Sequence, residues 1–368
     1  MRKNCKRILI AASKYTDNNN ALLAHALKLL QQGLMNGNLQ LNIAVAQSGI
    51  VSEISIILKQ ELEYIKQRTE VDERSQSRTR NINGSESRSR SRSGSGIEYI
   101  EEQEDGKMGP NILIDLICGV LNSLVNTSDN IQASEEGISS GLVKTLQEYI
   151  EFLQIKKESE KFKSIKRIDK QKLSSTYSSS SALKIQTSKS VNLKSFHIIS
   201  LYHFTHGTRA QGKKLFEQGI LDTFSKIVKL KLKEKINNEE DNLIEEYSIA
   251  GITNIIAGGY DPNDAILELM EEKQNELIIQ SHPYFNFLLD NNILNQLFSI
   301  FNSTQSSEYS KQISAVAIAR IMQGQKLALK YSPILPILQQ LTKDKDISLA
   351  QHAIASLAAL ALQKEDYN

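Results

Sequence analysis

Apolar residues along this chain recur three and four positions apart, the spacing of one buried helix face, and polar breaks cut the pattern into short lengths. One phrase returns: an apolar helical run, a polar break, a short helix, then a hinge opening another apolar helix. Its clearest copy runs from Phe196 to Leu221, where an apolar run ending near Phe204 is followed by Thr205-His-Gly-Thr, a short helix and Gly219-Ile-Leu. The hinge recurs as Gly49-Ile50-Val51, Gly141-Leu142-Val143 and Asn292-Ile293-Leu294, and near the end as Ser332-Pro333-Ile334-Leu335. No alternating, strand-like run bounded by hairpin turns is found. A recurring unit that cannot bury its apolar face alone stacks on its neighbours, so the pattern predicts an α-solenoid.

Local signals add boundaries. Ser332 reads as an N-cap with Pro333 at the first helical position, and Pro336 lies in the same first turn. Asp346 reads as the cap of a last helix whose apolar face is Ile347, Ala350, Ile354, Leu357, Ala358 and Ala361. Two segments interrupt the helical text. From Arg74 to Gly96 there are six Arg and eight Ser, with Ile82 the only aliphatic residue. From Lys161 to Ser195 nine basic residues face the single Asp169, and the run Ser174-Ser-Thr-Tyr-Ser-Ser-Ser-Ser181 follows. Neither buries enough apolar surface to offset the entropy of ordering, which predicts disordered insertions. The expected organisation is helical repeats over 1–73, an Arg/Ser-rich insertion over 74–107, a repeat over 108–160, a Lys/Ser-rich insertion over 161–195, and helical repeats over 196–368.

Composition narrows the function classes. Across 368 residues, 40% are apolar and the net charge is +2, from 44 basic and 42 acidic residues. Long-range attraction to nucleic acid or membrane is not predicted, and any such contact has to be local. Cys5 and Cys118 stand singly, which fits a reducing compartment and not a disulfide framework. The apolar stretch Ile8–Ala12 is shorter than the roughly 7–15 residues of a secretory signal, and no run reaches the roughly 18 of a membrane span. A cytoplasmic location, or a nuclear one, is the expectation, with no membrane contact.

The recurring phrase resembles the armadillo repeat, in which a short first helix ends in Gly, a second helix follows, and a third begins after a polar loop. Ile249-Ala-Gly-Ile-Thr-Asn-Ile-Ile-Ala-Gly258 and Ala315-Val-Ala-Ile-Ala-Arg-Ile-Met-Gln-Gly324 are similar to the family's third helix. The last hinge interval matches the family period of about 40 residues, and the earlier ones approach twice that. Removing the two insertions brings the second interval near the period and shortens the first. The third interval implies an added helix within Asp261–His282. The resemblance implies an all-α, right-handed α-solenoid of about five to six armadillo/HEAT-like repeats. It also implies that third helices line a groove, where an Asn side chain donates to and accepts from an extended peptide. Only Asn254 keeps that Asn; His203, Arg320, Ser123, Ser356 and Leu29 occupy the matching positions. With no Trp in the chain, the Trp–Asn ladder by which nuclear-import adaptors hold basic peptides is absent.

Other motifs bear on chemistry. Gly207-Thr-Arg-Ala-Gln-Gly212-Lys213 has P-loop spacing, but Lys214 stands where a Ser or Thr should hold the metal. The repeat reading makes the same residues a loop plus a short helix. His197, His203 and His206 lack the Cys or carboxylates that would complete a metal shell, so neither metal nor cofactor is expected. No Ser elbow or Cys–His context argues for an enzyme. Arg88-Ser-Arg-Ser-Arg-Ser93 is a cationic arm whose local charge phosphorylation would reverse, but it has no aromatics for base stacking. The expected function is a non-enzymatic scaffold or adaptor whose groove residues His203, Asn254, Arg320, Ser123 and Ser356 hold an extended protein or peptide segment, with the basic loops modulating it. The alternatives are a nuclear-transport or RNA-associated adaptor making weak nucleic-acid contacts through the basic loops, and a nucleotide-binding enzyme built on the Gly207 loop.

Overall fold

Left-handed residues punctuate the chain at the places the hinge pattern marks. Gly49, Gly141 and Gly219 have φ of 78°, 79° and 78°, and Asn292 has φ 60°. Glycine adopts this conformation without a Cβ clash, and asparagine is among the few other residues that tolerate it. Each of the four lets a short helix end and a second begin at an angle within three or four residues. The last hinge works differently: Pro333 has φ −61°, and the preceding 3-10 turn Leu329–Tyr331 makes the bend.

The computed structural model describes residues 6–7, 9–11, 20–37, 39–82, 112–125, 131–174, 193–234, 238–259 and 281–361. These contain helices and no strand. A leading helix α1 (Asn20–Met35) precedes triplets of first, second and third helices. The first is α2 (Leu39–Ala46), α3 (Ile50–Ile82) and α4 (Ile112–Val125), and the next is α5 (Ile131–Ser139), α6 (Leu142–Ser174) and α7 (Ser195–His203). Then come α8 (Arg209–Glu217), α9 (Ile220–Lys233) and α10 (Glu239–Gly259), followed by α11 (Phe285–Asp290), α12 (Ile293–Phe301) and α13 (Glu308–Ile321). The 3-10 turn, α14 (Ile334–Leu341) and α15 (Ile347–Ala361) close the series. Third helices stack on one another in order, α1 on α4, α4 on α7, α7 on α10, α10 on α13 and α13 on α15. Second helices α3, α6, α9 and α12 form a parallel layer. The fold is an all-α solenoid.

One continuous core runs between the two layers. Ile114, Ile117 and Leu121 of α4, Ile198 and Leu201 of α7, Ile252, Ile255 and Ile256 of α10, and Val316 and Ile318 of α13 are all buried. Each such side chain contributes roughly 2 kcal/mol by leaving water. Polar contacts fix the register between repeats. The Ser55 hydroxyl donates to the Ser140 carbonyl at 3.0 Å, and the Gln147 amide donates to the Gly219 carbonyl at 3.4 Å, so second helices reach the hinge of the following triplet. In the third-helix layer, Asn122 donates to the Phe196 carbonyl at 3.4 Å, and the Ser200 hydroxyl lies 3.2 Å from the Cys118 carbonyl.

Several local expectations need correction. Helix α3 continues through Ile82 and α6 through Ser174, past the expected boundaries at 74 and 161. The first tail, 74–82, carries three Arg and one Gln, and the second, 161–174, carries five Lys, one Arg and one Gln, good helix formers that extend an existing helix at little cost. Residues 83–111 and 175–192, which hold most of the rest of both insertions, lie outside the described residues, as do 260–280 of the expected extra helix, while 193–195 are described and Ser195 already belongs to α7. Ser332 makes no side-chain cap; Asp346 does cap α15, its carboxylate accepting from Ser348 N–H at 2.9 Å and Leu349 N–H at 3.2 Å. The buried face of α15 is Leu349, Ala353, Ser356 and Leu360, whereas Ile347 is 73% and Ile354 54% exposed. That helix is apolar nearly all round, so periodicity alone does not choose which side meets α13 and α14.

Candidate functional site

A cleft of about 460 Å³ opens on the third-helix face, lined by Val125, Tyr202, His203, His206, Glu246, Tyr247, Ala250 and Tyr309. The lining comes from four successive third helices, α4, α7, α10 and α13, and from the turn after α7. Helix α7 is only nine residues long, so its last residues, Tyr202 and His203, and the following turn carrying His206 face the cleft. Tyr202 meets Tyr247 at 5.0 Å and 64°, and His206 at 4.4 Å and 82°. His203 and His206 have ring centroids 6.2 Å apart. Such edge-to-face pairs are favourable because the electron-poor edge of one ring meets the electron-rich face of the other.

Burial sets the charge states here. It lowers the His203 pKa to about 4, with the neighbouring His206 contributing, and it lowers that of His206. Both imidazoles are therefore neutral at pH 7. Burial also raises the Tyr202 hydroxyl, aided by Tyr309 and Tyr247, and raises that of Tyr309, aided by Asp346 and Glu246. Glu246 accepts from the Ser307 hydroxyl, the N-cap of α13, at 2.6 Å. None of the eight lining residues is Lys or Arg.

The sequence candidates are distributed along this face. His203 lines the cleft directly. Asn254 stands behind it: its amide donates to the Thr205 hydroxyl at 2.9 Å and its side chain bonds that of Tyr202. Arg320 Nη2 lies 3.2 Å from His352 Nδ1, joining α13 to α15. Ser123 is half-buried; its hydroxyl turns back to the Gly119 carbonyl at 3.1 Å, and its own carbonyl accepts from Asn42 at 3.4 Å. Ser356 is fully buried and donates to the Val316 carbonyl at 3.5 Å, so as packed it offers nothing to a partner. Leu29 is exposed on α1.

Glu246 and the three tyrosines escaped the sequence reading. They lie far apart in the chain, and a Tyr or Glu on an amphipathic helix reads as an ordinary boundary residue.

A second polar cluster lies at the α4–α7 contact, with His197 buried and the Asp115 and Lys194 side chains 23% and 46% exposed. His197 Nε2 is 3.1 Å from Asp115 Oδ1, its Nδ1 accepts from Lys194 N–H at 3.2 Å, and Lys194 Nζ is 2.5 Å from Asp115 Oδ2. Cys118 is close by, but burial pushes its thiol up to about 12. A thiol so hard to ionise is a poor nucleophile, and a histidine with both nitrogens engaged has none left to act as its base. The cluster ties α4 to α7. The larger cleft beside it, about 540 Å³, is lined by ion pairs that neutralise one another, Lys157 with Glu234 at 2.9 Å and Lys231 with Asp241.

The Gly207 loop is likewise structural. Thr208 N–H donates to Gln211 Oε1 at 2.7 Å and the Gln211 N–H returns to Thr208 Oγ1 at 3.4 Å, a capping box that uses amides a phosphate would need. A Cβ on Gly212 would lie 3.1 Å from Gly258 Cα, so this glycine is there for the α8–α10 crossing. The Arg88–Ser93 run lies outside the described residues. Among the described residues no group of three or more His, Cys, Asp or Glu is placed to hold a metal, and no single helix is long and apolar enough to cross a membrane.

No family model matches the chain. No curated protein matches it either. Solved structures do. A designed armadillo repeat protein superposes with a TM-score of 0.50 at 13% identity, covering 98% of this chain and 100% of that one. An engineered protein superposes with a TM-score of 0.50 at 12% identity, over 97% of this chain and 58% of that one. A computationally designed armadillo repeat protein for modular peptide recognition gives 0.49 at 14%, over 98% and 99%. At such identities the likeness is one of fold: helix triplets, left-handed hinges and whole-length superposition together make this chain an armadillo-like repeat solenoid.

Proposed function

We propose that the protein is a non-enzymatic scaffold or adaptor that binds an extended segment of a protein partner along its third-helix face. The observation that carries this reading is the cleft spanning α4, α7, α10 and α13, where hydrogen-bonding aromatic side chains from successive repeats line one continuous surface. An extended chain exposes side chains and backbone groups at regular intervals, and a repeat surface meets them at regular intervals. Tyr and His suit the task because each offers a rigid apolar body and a polar tip. His203 contacts the segment, Asn254 holds Tyr202 in place, and Arg320 and Ser123 extend the surface to either side. The neutralised charges of the larger cleft, the inert Cys118 and the capped Gly207 loop all favour binding over catalysis. The lone cysteines favour a cytoplasmic or nuclear setting.

The test is an array of immobilised 15-residue peptides probed with the purified protein. Replacing Tyr309, which is 42% exposed, by Ala removes a cleft wall with little effect on the core. Peptides captured by the unmodified protein are expected to lose at least about tenfold in affinity on Tyr309→Ala, near 1.4 kcal/mol. Lys59→Glu, exposed on the second helix α3, should leave them bound. Equal loss in both variants, or in neither, rejects the third-helix face as the binding surface.

A further inference from the structure

The larger cleft, of about 540 Å³, stands apart from the third-helix face. It meets α7 and α10 at their N-terminal ends, through Lys194, Phe196, Glu240 and Asp241, whereas Tyr202 and Tyr247 of the other cleft lie further along the same helices. Second helices α6 and α9 supply most of the rest. The apolar lining comes from Leu153 and Ile227, both buried, and from Phe196 and Leu230, both half-buried.

Two observations specify what enters. Three lysines and three acidic residues line the cleft, and each has a partner. Lys157 pairs with Glu234 at 2.9 Å, Lys231 with Asp241, and Lys194 with Asp115 at 2.5 Å, while Glu240 accepts from Ser195 N–H. A charged ligand has to displace one of these partners and strand its charge. The Lys231 side chain is only 6% exposed, where an unpaired ammonium is costly. The second observation is Gln154, which lines the cleft at 8% exposure and whose Nε2 has no acceptor among the described residues. An amide nitrogen only donates, and a buried donor without an acceptor costs free energy that a well-placed acceptor recovers.

We infer that this cleft binds an uncharged small molecule that carries a carbonyl on an apolar body. Its oxygen accepts from Gln154 Nε2, and its body lies against Leu153, Phe196, Ile227 and Leu230. The volume falls within the roughly 300–1,000 Å³ of small-molecule sites, which are mostly apolar with a few placed polar groups. The site is independent of peptide binding on the third-helix face, since the two clefts share no lining residue.

The probe is propiophenone. Propylbenzene is its nearly isosteric hydrocarbon without the acceptor, and phenylacetate and benzylammonium are the charged analogues. The readout is the methyl NMR spectrum of the full chain carrying ¹³C-labelled isoleucine, with Ile227 assigned by Ile227→Leu. Saturable shifts of Ile227 are expected with propiophenone, at about fivefold higher affinity than with propylbenzene, the worth of one neutral hydrogen bond. The charged analogues should bind more weakly than either. Gln154→Met, similar in length but without the donor, should equalise ketone and hydrocarbon, with melting unchanged or raised because no internal hydrogen bond is lost. Tyr309→Ala should leave the ketone bound. Equal affinities for ketone and hydrocarbon in the unmodified protein would assign the Gln154 amide to bound water and overturn the site. A preference for either ion, lowered melting in Gln154→Met, ketone binding lost in Tyr309→Ala, or no saturable shift of Ile227 would overturn it as well.

Discussion

His203 and His282 show how single side chains are set by what surrounds them. Burial brings both to about 4, below the ordinary histidine value of about 6.5. His282 has its tautomer fixed from two sides: its Nε2 is 3.0 Å from the Ile256 carbonyl, and its Nδ1 accepts from Tyr284 N–H at 3.1 Å. Protonating Nδ1 would break the second bond inside the core. Above pH 6.5 neither state of the protein is protonated at these sites and they cost nothing. As pH falls from 6.5 to 4 the unfolded chain takes up protons that the folded chain refuses, so stability is lost across that window and levels off below it. Each histidine accounts for about 2–3 kcal/mol of that loss. Urea unfolding at pH 7 and pH 4.5 is expected to show the decline, and His203→Gln is expected to shrink it. An unchanged pH dependence in that variant would assign the titration elsewhere.

At the scale of an element, the hinge decides where one helix stops and the next starts. Gly141 has φ 79°, and a Cβ built there has no atom within 4 Å, so Gly141→Ala tests backbone conformation alone. A cost of about 1–2 kcal/mol is expected from denaturant midpoints, with the helix content unchanged. A neutral outcome would mean that the hinge relaxes out of the left-handed region. These hinges were readable in advance because a left-handed position restricts residue type so strongly that it leaves a trace in the sequence. Helix faces were less readable. The periodicity of α15 points to Ile347 and Ile354, whereas packing buries Leu349, Ala353 and Ser356, because a helix apolar nearly all round carries little directional signal.

For the whole molecule, a stack of triplets predicts stability that is local to neighbours. Ala353 is fully buried where α15 meets the preceding repeat. Ala353→Asp places a carboxylate in that contact and is expected to expose the amides of α14 and α15 to hydrogen exchange, while those of α9 and α10 stay protected. Simultaneous loss in both regions would show a single cooperative unit. The same architecture explains the cleft: residues as distant in sequence as Val125 and Tyr309 share an opening because third helices stack in order.

Sequence by itself determined the helical class, the repeating unit, the positions of its hinges and the loop plus short helix that begins at Gly207. All are local properties, written in periodicity and in residue types that few conformations accept. Tertiary structure alone decided which of the third-helix candidates face outward, that Ser356 does not, and that Asp115, His197 and Lys194 close on one another between α4 and α7. It also assembled Tyr202, Glu246, Tyr247 and Tyr309 around one cleft. Those relations depend on how far each helix rotates and slides as it packs on the next, and that is set by the summed burial of both layers, which no single segment records.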